Sequence, residues 1–589
     1  MSTCKQITVA DFETTTSKDD CRVWAWGICN IVECENVDLG TDITSFMSKV
    51  SEYDNICYFH NLRFDGQFIL YWLFKNNYRF NGDSRNLSPG EFSTMISDMG
   101  VFYTLTLMTR PNTRGVSTKI EFRDSLKIIP MAVEEIPKSF GLEESKLSID
   151  YNEYREIGHQ LTEQERLYVR EDIVIVAKAI KYMRDKGQVK LTSAANALAD
   201  FKGRYKPKEY KRLFPQLNSI NDKDIRESYK GGWTYLNPKY KNKSVSEGRV
   251  YDVNSMYPWA MKYCLLPYGE PVFYTGRYKE LKTYPLYVQK LTCEFKLKPG
   301  KYPSIQIKGS KIYGENEYIE ESIYPTTLCL TSVDLELFFH NYEIIGEIEW
   351  HHGYMFKAAH GMFTDYIDYW YEQKTNAKAS GNKGLEAIAK LMLNSLYGKF
   401  GARMTGFSKI PYFDASKDMV RFKKSDEEER KGGYLPIATF ITSYCRDKII
   451  RAAEVCGERF IYADTDSVHI EGDNDVPGMD VDEFRLGAFK LEQKFIRAKF
   501  IRQKTYLEIA LKNGKESMNI KCCGMPKEMK KTITEDEFYE GAIYDNSEND
   551  KYAPKLMPQI VPGGVILKET TFQIKKPKAL RSININYTR

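Results

Sequence analysis

The chain has 589 residues, 42% of them hydrophobic and 28% charged, with a formal net charge of +5. This length exceeds one hydrophobic core and predicts about three to five domains. No apolar run is long enough to span a membrane, and the start, MSTCKQITVADFETTT, lacks the basic and apolar regions of a secretory signal. The twelve cysteines include no CxxC pair, so we expect reduced thiols in a cytosolic protein rather than zinc ligands.

The first 190 residues have an α/β pattern. The segments QITVADFETTT and EFRDSLKIIP each resemble a strand that runs into a polar loop. The segment TEQERLYVREDIVIVAKAIKYM has apolar residues at helical spacing. Thr162 and Glu165 predict a capping box at its start.

The rest of the chain predicts a mixture of strands and helices. The Gly pair and Pro of YKGGWTYLNP mark a junction, and GRVYDVNSMYP predicts a strand. Residues 263–360 indicate a mixed insertion, rich in Tyr and Pro. GLEAIAKLMLNSLYGKFG predicts a helix that ends at Gly401. We expect KKSDEEERKGG to form a solvated loop or short insertion, residues 433–530 to return to strands, and VPGGVIL to contain a turn.

Residues 490–531 form a basic segment. They contain twelve Lys and Arg against four Glu, together with the aromatic residues Phe495, Phe500 and Tyr506. Clustered cations with this composition are typical of phosphate and nucleic-acid binding. A solvated basic face is the alternative.

Two carboxylates, Asp464 and Asp466, interrupt the strand-like segment FIYADTDSVHI. Residues two apart on a strand point to the same face, so both carboxylates would repel each other unless a cation lies between them. Mg²⁺ favours such sites, with one or two carboxylates plus water and phosphate oxygens. The alternative is that Asp-Thr-Asp-Ser forms a polar hairpin turn.

A second acidic set lies in the amino-terminal region. Asp11 and Glu13 are two apart at a strand end, Asp65 follows Asn61 and Phe64, and Asp172 lies four residues after Tyr168. On a helix this last spacing places the tyrosine and the carboxylate on one face. Four such carboxylates could hold two metals about 4 Å apart and activate water for attack on a phosphodiester.

In this order and spacing, DFETTT, HNLRFDG and YVRED resemble the three motifs of the 3′→5′ exonucleases of proofreading DNA polymerases. The resemblance implies that Asp11, Glu13, Asp65 and Asp172 bind metal and that Tyr168 orients the attacking water. Lys146, in KLSIDY, matches a lysine that assists exonucleolysis, although Ser148 stands where close relatives carry Asp. It also implies contacts to the DNA strand from six residues, namely Thr14, Asn61, Phe64, Ser125, Leu126 and Tyr151.

The second half resembles family B DNA polymerases. YDVNSMYP, KLMLNSLYGKFG and YADTDS resemble motifs A, B and C, YKGG resembles the linker between exonuclease and polymerase, and KTYLEI resembles the motif that grips the primer through Lys504 and Tyr506. The resemblance implies that Asp252 and Asp466 bind two Mg²⁺ ions, with Asp464 in support and the Val253 carbonyl as a further ligand. Mn²⁺ suits the same oxygen ligands.

The motif B helix places Lys390, Asn394 and Tyr397 on one stripe. By resemblance Lys390 meets the triphosphate, with Lys374 as a second candidate, and Tyr397 packs by the nascent base pair. The resemblance also implies that Tyr257 lies beneath the sugar, where its ring would exclude a 2′-hydroxyl and so disfavour RNA synthesis. Two core aromatic residues are the alternative interpretation of these tyrosines. Glu386 is a departure, because close relatives have a basic residue there.

The resemblance is closest to the protein-primed subgroup, the replicative polymerases of small Bacillus phages. It implies an RNase H-like exonuclease domain followed by a right-hand polymerase with two insertions, in a multidomain α/β and α+β fold. In that subgroup the first insertion contacts a terminal protein that serves as primer, and the second closes a ring around DNA that supports strand displacement. The implied ranges are exonuclease 1–192, palm 193–262 and 433–535, insertions 263–360 and 402–432, fingers 361–401 and thumb 536–589.

The resulting expectation is a DNA-templated DNA polymerase with proofreading, which binds template, primer and dNTPs and acts as a monomer in the cytoplasm of a bacterial host. Two other hypotheses are a 3′→5′ nuclease with a DNA-binding scaffold and a non-enzymatic factor that binds a replication origin. The intact Asp252, Asp464 and Asp466 disfavour the scaffold. The number of acidic residues in motif contexts disfavours the origin-binding factor.

Overall fold

The structure is a computed structural model that describes residues 5–150, 153–310, 313, 317–545 and 551–576. Tyr151, one of the predicted DNA contacts, lies outside the described residues. The eleven cysteines within these ranges form no disulfide bonds. No helix of the described part is both long and apolar enough to cross a membrane.

The amino-terminal domain is an eight-stranded sheet with helices on both faces. Alternate residues of its central strand enter two separate cores, Val9 on one face and Ala10 and Phe12 on the other, as strand geometry requires. The sheet order is β3-β2-β1-β4-β8-β7-β6-β5. Its elements are β1 (Gln6–Thr14), β2 (Val23–Asn30), β3 (Val37–Gly40), α1 (Ile43–Val50), β4 (Asn55–Phe59), α2 (Leu62–Lys75), β5 (Arg79–Phe80), β6 (Glu91–Ile96), β7 (Phe102–Met108), β8 (Lys119–Asp124), α3 (Ile136–Phe140) and α4 (Glu163–Asp185).

The predicted capping box at the start of α4 is confirmed. The Thr162 side chain accepts a hydrogen bond from Glu165 N, and the Glu165 carboxylate accepts one from Thr162 N. Helices α2 and α4 cover opposite faces of the sheet, since their buried side chains belong to the two different cores. Both helices therefore bring residues to the strand end that carries Asp11 and Glu13.

The segment that follows leads to a small sheet at the centre of the molecule. Its elements are α5 (Ser193–Gly203), α6 (Pro207–Leu213), α7 (Ser219–Arg226), β9 (Thr234–Leu236), β10 (Ser244–Val245), β11 (Gly248–Val253) and α8 (Met256–Tyr263). Strand β11 is second in the five-stranded order β22-β11-β21-β20-β9, in which the later strands come from residues 460–495.

The expected first insertion is a four-stranded sheet with one helix. It comprises β12 (Leu266–Thr275), β13 (Leu286–Leu297), β14 (Thr326–Thr331), α9 (Ser332–Asn341) and β15 (Tyr342–Ala359) in the order β12-β15-β13-β14. Two helices follow as an antiparallel pair, α10 (Thr364–Ala379) and α11 (Lys383–Phe400). The expected second insertion contains β16 (Thr405–Gly406), β17 (Lys409–Asp414), β18 (Met419–Lys424) and β19 (Glu428–Glu429).

The expectation that residues 433–530 are mainly strands is wrong at its start. Leu435–Cys456 is a 22-residue helix, α12, of which 16 residues are buried. Its first nine residues, Leu435–Ser443, are all buried, so this apolar run could not be told from strand by periodicity. Its second half does have a polar face at helical spacing, formed by Asp447, Lys448, Arg451 and Glu454, and this signal was missed. The remainder does form strands, namely β20 (Phe460–Asp464), β21 (Ser467–Glu471), β22 (Phe489–Phe495), β23 (Arg497–Arg502), β24 (Thr505–Lys512) and β25 (Lys515–Cys522).

The carboxy-terminal segment reaches back to the amino-terminal domain. It contains α13 (Lys527–Thr532), β26 (Ile543–Tyr544), β27 (Lys555–Val561), β28 (Gly564–Thr570) and β29 (Phe572–Gln573). The predicted turn of VPGGVIL is confirmed as the tip of the β27–β28 hairpin. A Cβ on Gly563, whose φ is +93°, would lie 1.9 Å from the Cys21 carbonyl oxygen, and one on Gly564 would lie 2.5 Å from the Phe68 ring. Glycine is therefore required for this hairpin to dock on the segment between β1 and β2 and on α2.

The second insertion also docks on α2. The Tyr71 hydroxyl donates to Asp418 Oδ2 at 2.8 Å, and Lys75 Nζ lies 3.0 Å from Asp418 Oδ1. Val420 of the insertion and Val561 and Val565 of the terminal hairpin share one buried cluster with the amino-terminal core. The second insertion and the terminal hairpin, which are distant in sequence, therefore pack against the same helix.

Candidate active sites

The two aspartates of FIYADTDSVHI lie at a hairpin turn between β20 and β21. Asp464 pairs with Ser467, so only Thr465 and Asp466 form the turn, with Thr465 at φ 67°. The backbone N–H of Asp466 donates to the Asp464 carbonyl at 2.7 Å. The interpretation as one continuous strand is therefore wrong, and the hairpin interpretation is right. The turn does not exclude a metal role, because it brings both carboxylates to one sheet end.

Asp252 reaches the same place from β11. It is opposite Ser467 in the antiparallel register, and the next residue, Val253, donates its N–H to the Asp466 carbonyl at 2.8 Å. Burial, the Asp466 charge and the Glu492 charge raise the pKa of Asp252 to about 7. Burial, aided by Asp464 and Glu492, raises the pKa of Asp466 to about 6. Like charges that are partly withdrawn from water create a site that gains from a cation.

Asp464 is in a different electrostatic setting. Its Oδ1 is 2.5 Å from Lys504 Nζ and 3.3 Å from Thr234 Oγ1. Lys504 is in the left-handed region at φ 56°, and its backbone N–H donates to the Tyr462 hydroxyl. The Asp464 carboxylate thus has a cation of its own, whereas Asp252 has Lys490 only at 3.9 Å. This difference favours the predicted supporting role of Asp464.

A cavity of about 390 Å³ opens beside the aspartate turn. Tyr506 is mostly buried and stacks on Phe500 with ring centroids 5.3 Å apart. The cavity joins the predicted metal ligands to the predicted primer-binding pair, and its lining includes Asp464, Asp466, Glu492, Lys504, Tyr506 and Lys521.

The predicted nucleotide-binding residues do not line this cavity, although Lys374 is close enough to Asp252 to lower its pKa. Tyr257 and Tyr397 stack with ring centroids 4.1 Å apart and planes at 5°, and both are only half-buried. Lys390 and Asn394 are exposed on the same stripe of α11 as Tyr397. Lys374, half-buried on α10, donates to Ser255 Oγ at 3.4 Å. Two partly exposed, stacked rings beside an aspartate and lysines differ from an enclosed core pair.

Sequence reasoning missed two acidic residues near this site. Glu492 on β22 acts on the pKa of both Asp252 and Asp466. Glu508 forms a buried contact of 2.6 Å with His469 and also accepts from Gln493 at 2.8 Å. Strand pairing brings Glu492 to the site, so no local motif could have revealed it, whereas Glu508 lies within the quoted segment KTYLEI and could have been noticed there.

The second acidic site lies in the amino-terminal domain. Asp11 and Glu13 are at the end of β1, Asp65 is in the first turn of α2, and Asp172 is on α4 with Tyr168 one turn before it. Tyr168 hydrogen-bonds Asp172, and Lys146 Nζ lies 3.1 Å from Asp172 Oδ2. Three sequence segments that were recognised separately are therefore brought together by the two helices and the central strand.

Burial and mutual repulsion dominate this site. Burial and the Asp172 charge raise the pKa of Asp11 to about 7. Burial, then Asp11, then Asp172 raise the pKa of Glu13 well above its usual value, and burial with Asp11 does the same for Asp65. Lys146 opposes these shifts at Asp11 and Glu13. The carboxylates exceed the positive charge around them, which again favours a cation.

The predicted strand-contact residues surround this set. Asn61 is exposed at the start of α2 in the left-handed conformation, φ 81°, and Phe64, Thr14 and Leu126 are half-buried. Ser125 is fully buried, and its hydroxyl donates to the Phe59 carbonyl and contacts His60 Nδ1. Its contact with DNA stays a prediction, and its hydrogen bonds favour an indirect role in holding the Asn61 turn.

Two further residues of this region were missed. Asp124 accepts hydrogen bonds from Asn61 N at 3.1 Å and Leu126 N at 3.0 Å, so one carboxylate holds both predicted contact loops. Arg155 is buried, contacts Glu165 Oε1 at 3.0 Å, donates to the Asp150 carbonyl at 2.6 Å, and lowers the pKa of Glu13. The predicted capping box was a partial signal for Arg155, because the Glu165 carboxylate both caps α4 and pairs with Arg155.

Both acidic sites fit divalent cations by their donor chemistry. All proposed side-chain donors are carboxylate oxygens, which Mg²⁺ prefers, and Asp172 Oδ1 is buried without a hydrogen-bond partner among the described residues. Within those residues, no three His, Cys, Asp or Glu side chains converge into a ready-made metal cluster. Such convergence is not needed for Mg²⁺, which usually keeps several waters and shares one or two carboxylates with substrate oxygens.

Much of the positive charge of the basic segment 490–531 is neutralised by nearby carboxylates. Six of its twelve cations are in ion pairs, namely Lys490, Lys494, Arg497, Lys504, Lys527 and Lys531. Two of the pairs involve the aspartates of the central site. The segment is therefore tied to the acidic site rather than forming one continuous basic face.

Comparison with known proteins places the chain in a family. The profile of DNA polymerase type B, organellar and viral, matches residues 47–482. The chain belongs to this family. The DNA polymerase of Bacillus phage phi29 is 39% identical over 583 residues, which cover 96% of this chain and 98% of that protein. The DNA polymerase of Streptococcus phage Cp-1 is 31% identical, with 96% and 98% covered.

Solved structures give the same result for the fold. Phi29 DNA polymerase in complex with primer-template DNA and incoming nucleotides matches with a TM-score of 0.90 and 37% identity, covering 97% of this chain and 100% of that one. An orthorhombic crystal form of phi29 DNA polymerase covers the same shares with a TM-score of 0.89. The expected multidomain fold, an exonuclease domain followed by a right-hand polymerase, is confirmed, as is the resemblance to the polymerases of Bacillus phages.

Proposed function

We propose that the protein is a DNA-templated DNA polymerase, protein-primed and strand-displacing, with a proofreading 3′→5′ exonuclease in the same chain. Membership of the type B family and the likeness to phage polymerases support the polymerase activity. The observation that carries it is the junction of β11 with the β20–β21 turn, where Asp252 and Asp466 meet through the Val253 N–H. The partners are template and primer DNA, dNTPs and a terminal protein, within the host cell's cytoplasm.

In the polymerase site, the protein groups bind and orient the reactants. Asp252, Asp466 and the Val253 carbonyl are the proposed ligands of two Mg²⁺ ions, which when bound would lower the pKa of the primer 3′-hydroxyl and neutralise phosphate charge. Lys390 and Lys374 bind the triphosphate, where cations stabilise the charge of the transition state. The stacked Tyr257 and Tyr397 form a flat surface for the sugar and base. Lys504 and Tyr506 hold the primer.

In the exonuclease site, Asp11, Glu13, Asp65 and Asp172 are the proposed ligands for divalent ions. Tyr168 orients a water molecule towards the terminal phosphodiester, and Lys146, held at Asp172, balances negative charge. Asn61, Phe64, Thr14 and Leu126 bind the separated 3′ end, with Ser125 and Tyr151 in support. Attack of water releases a nucleotide from the strand end.

The two insertions support protein priming and strand displacement. The second insertion and the terminal hairpin both dock on α2, through Asp418 and Gly564, and this arrangement suits a ring that retains DNA. The first insertion, residues 266–359 in the structure, is the proposed surface for the terminal protein.

The test is extension of a 5′-labelled primer annealed to a longer template, in Mg²⁺, with and without dNTPs. Lengthening with dNTPs and shortening without them are expected from one chain. Shortening in both lanes would overturn the polymerase proposal and favour a nuclease with a DNA-binding scaffold. The exonuclease proposal would be overturned if the annealed primer were lengthened with dNTPs but neither the annealed nor the single-stranded primer were shortened without them.

A further inference from the structure

The motif B helix carries an acidic side chain where the proposed triphosphate-binding residues begin. Glu386 lies in the first turn of α11, and its Oε1 is 2.6 Å from Lys390 Nζ one turn later. The Lys390 side chain is 54% exposed and that of Glu386 21%. The cation proposed to receive the triphosphate therefore already has a carboxylate partner.

Glu386 is a negative charge among several lysines. The pKa of Lys374 is lowered by burial and then by Lys390, Lys490 and Lys378, whereas Glu386 acts in the opposite direction. Lys374 also contacts Ser255, and Lys490 lies 3.9 Å from Asp252. Lysines thus connect Asp252 to Lys390, and Glu386 offsets their charge at the Lys390 end.

Helix stability alone gives little reason for this pair. An exposed ion pair four residues apart on a helix contributes little to folding. Asn382 already caps α11, since its side chain accepts from Leu385 N at 3.0 Å. The larger consequence is for anion binding, because a carboxylate repels phosphate and competes for the same ammonium group.

We propose that Glu386 is an affinity-determining residue, which holds Lys390 while the site lacks nucleotide and must release it to an incoming triphosphate. The inference rests on the proposed function, because it takes the anion to be the triphosphate of a dNTP. Pyrophosphate, the anionic product, meets the same competition and is released more readily. Glu386 therefore weakens ground-state binding of both anions and does not act on the reacting atoms.

The test is single-turnover incorporation of one dNTP, which measures the dissociation constant and the maximal rate separately. Glu386→Gln keeps the shape and removes the charge, so we expect the dNTP dissociation constant to fall about threefold to tenfold, given a fivefold effect per charge pair at 4 Å in water. The maximal rate should stay within about twofold of the wild-type rate. The pyrophosphate inhibition constant should fall in parallel, and added salt should narrow both differences.

Matched variants separate this effect from general charge removal. Glu372→Gln removes an exposed carboxylate from the neighbouring helix α10 and should leave the dissociation constant unchanged. In a Lys390→Gln background, Glu386→Gln should have less than half its original effect on the free energy of binding, as expected for coupled residues.

The outcomes distinguish this inference from the proposed function. Lack of incorporation by the wild-type protein would overturn the proposed function itself. Incorporation by the wild type with an unchanged dissociation constant in Glu386→Gln would overturn the inference alone. An equal fall in Glu372→Gln, or an undiminished effect of Glu386→Gln without Lys390, would also overturn it.

Discussion

The two acidic sites use the same donor atoms and differ in how open they are to solvent. In the exonuclease domain, four carboxylates from a strand and two helices are withdrawn from water, and burial raises their pKa values. At the polymerase site, Asp252 and Asp466 lie at the open end of a small sheet, beside a cavity of about 390 Å³ and several lysines. The proposed functions fit this difference, because a pocket for one strand end can be closed, whereas a site that passes a duplex and takes in nucleotides must stay open.

The comparison also shows where each site obtains its positive charge. Lys146 and Arg155 are fixed near the exonuclease carboxylates by an ion pair and by buried hydrogen bonds. At the polymerase site, Lys390 is exposed, and Lys374 and Lys490 are half-buried. The first set holds the protein's own carboxylates, whereas the proposed role of the second set is to bind an incoming anion, for which Lys390 must leave Glu386.

Asp252→Asn should produce the largest difference between the two activities. Loss of a proposed metal ligand is expected to lower nucleotide incorporation roughly 10⁴-fold, while degradation of single-stranded DNA stays near wild type. Primer extension and single-strand degradation measure the two rates. Retained incorporation would show that this carboxylate is not a ligand. Asp475→Asn, on a nearby exposed loop and paired with Arg249, is the control.

The reciprocal change is Asp11→Asn combined with Asp65→Asn. Removal of two buried carboxylates should lower 3′→5′ degradation about 10³-fold or more, with incorporation of correct nucleotides unchanged. Degradation of a labelled single strand without dNTPs gives the rate. If both activities fell together, the two sites would not be independent, and the comparison would fail.

Arg155→Gln should have an intermediate effect that is confined to the exonuclease. Arg155 is a positioning residue, because it holds the Asp150 carbonyl in the segment after Lys146, and supporting residues of this kind typically contribute about tenfold. Arg155 lowers the pKa of Glu13, so its loss should raise that pKa and shift the acidic limb of the exonuclease pH profile to higher pH.

Two controls accompany the Arg155 change. Arg155→Lys retains the charge and should restore much of the pH profile, whereas a purely structural role would not distinguish Lys from Gln. Incorporation of dNTPs should remain normal in both variants. An unshifted acidic limb in Arg155→Gln would show that the guanidinium does not act on Glu13.

The smallest expected effect is on stability. The folded-state pKa of Asp11 is about 7 against an ordinary 3.8, so the folded protein binds more protons than the unfolded chain between these values. In EDTA the contribution of this site to stability is therefore greatest at low pH and is lost as pH rises towards about 7. Asp65→Asn removes one repelling carboxylate and should raise the Tm at pH 8 by about 2 °C.

Mg²⁺ provides the complementary measurement. Binding to the folded state should raise the wild-type Tm at pH 8 and raise it less at pH 6, where the carboxylates are partly protonated. Asp65→Asn should reduce this response. A lower Tm for Asp65→Asn in EDTA, or an equal response to Mg²⁺ at both pH values, would contradict the repulsion described here.

Helices and turns set by neighbouring residues could be predicted from the sequence, whereas contacts between residues on separately paired strands could not. The α4 helix with its capping box, the α11 helix and the VPGGVIL hairpin are each set by residues close in the chain. Glu492 reaches the polymerase site only through sheet register. Helix α12 was missed because its first nine residues are buried on all sides and show no polar face, although the helical spacing of Asp447, Lys448 and Arg451 was an available signal.

The hairpin tip at Gly563 and Gly564 has a consequence for synthesis of the chain. Cys21 and Val565 are 544 positions apart yet share a hydrogen bond, and Val561, Val565 and Ile566 complete the amino-terminal core. A domain that emerges first from the ribosome must therefore keep an apolar surface near Phe68 uncovered until almost the last residues are made. Contacts of such sequence separation form late. The amino-terminal domain therefore completes its core only after the carboxy-terminal hairpin has been synthesised.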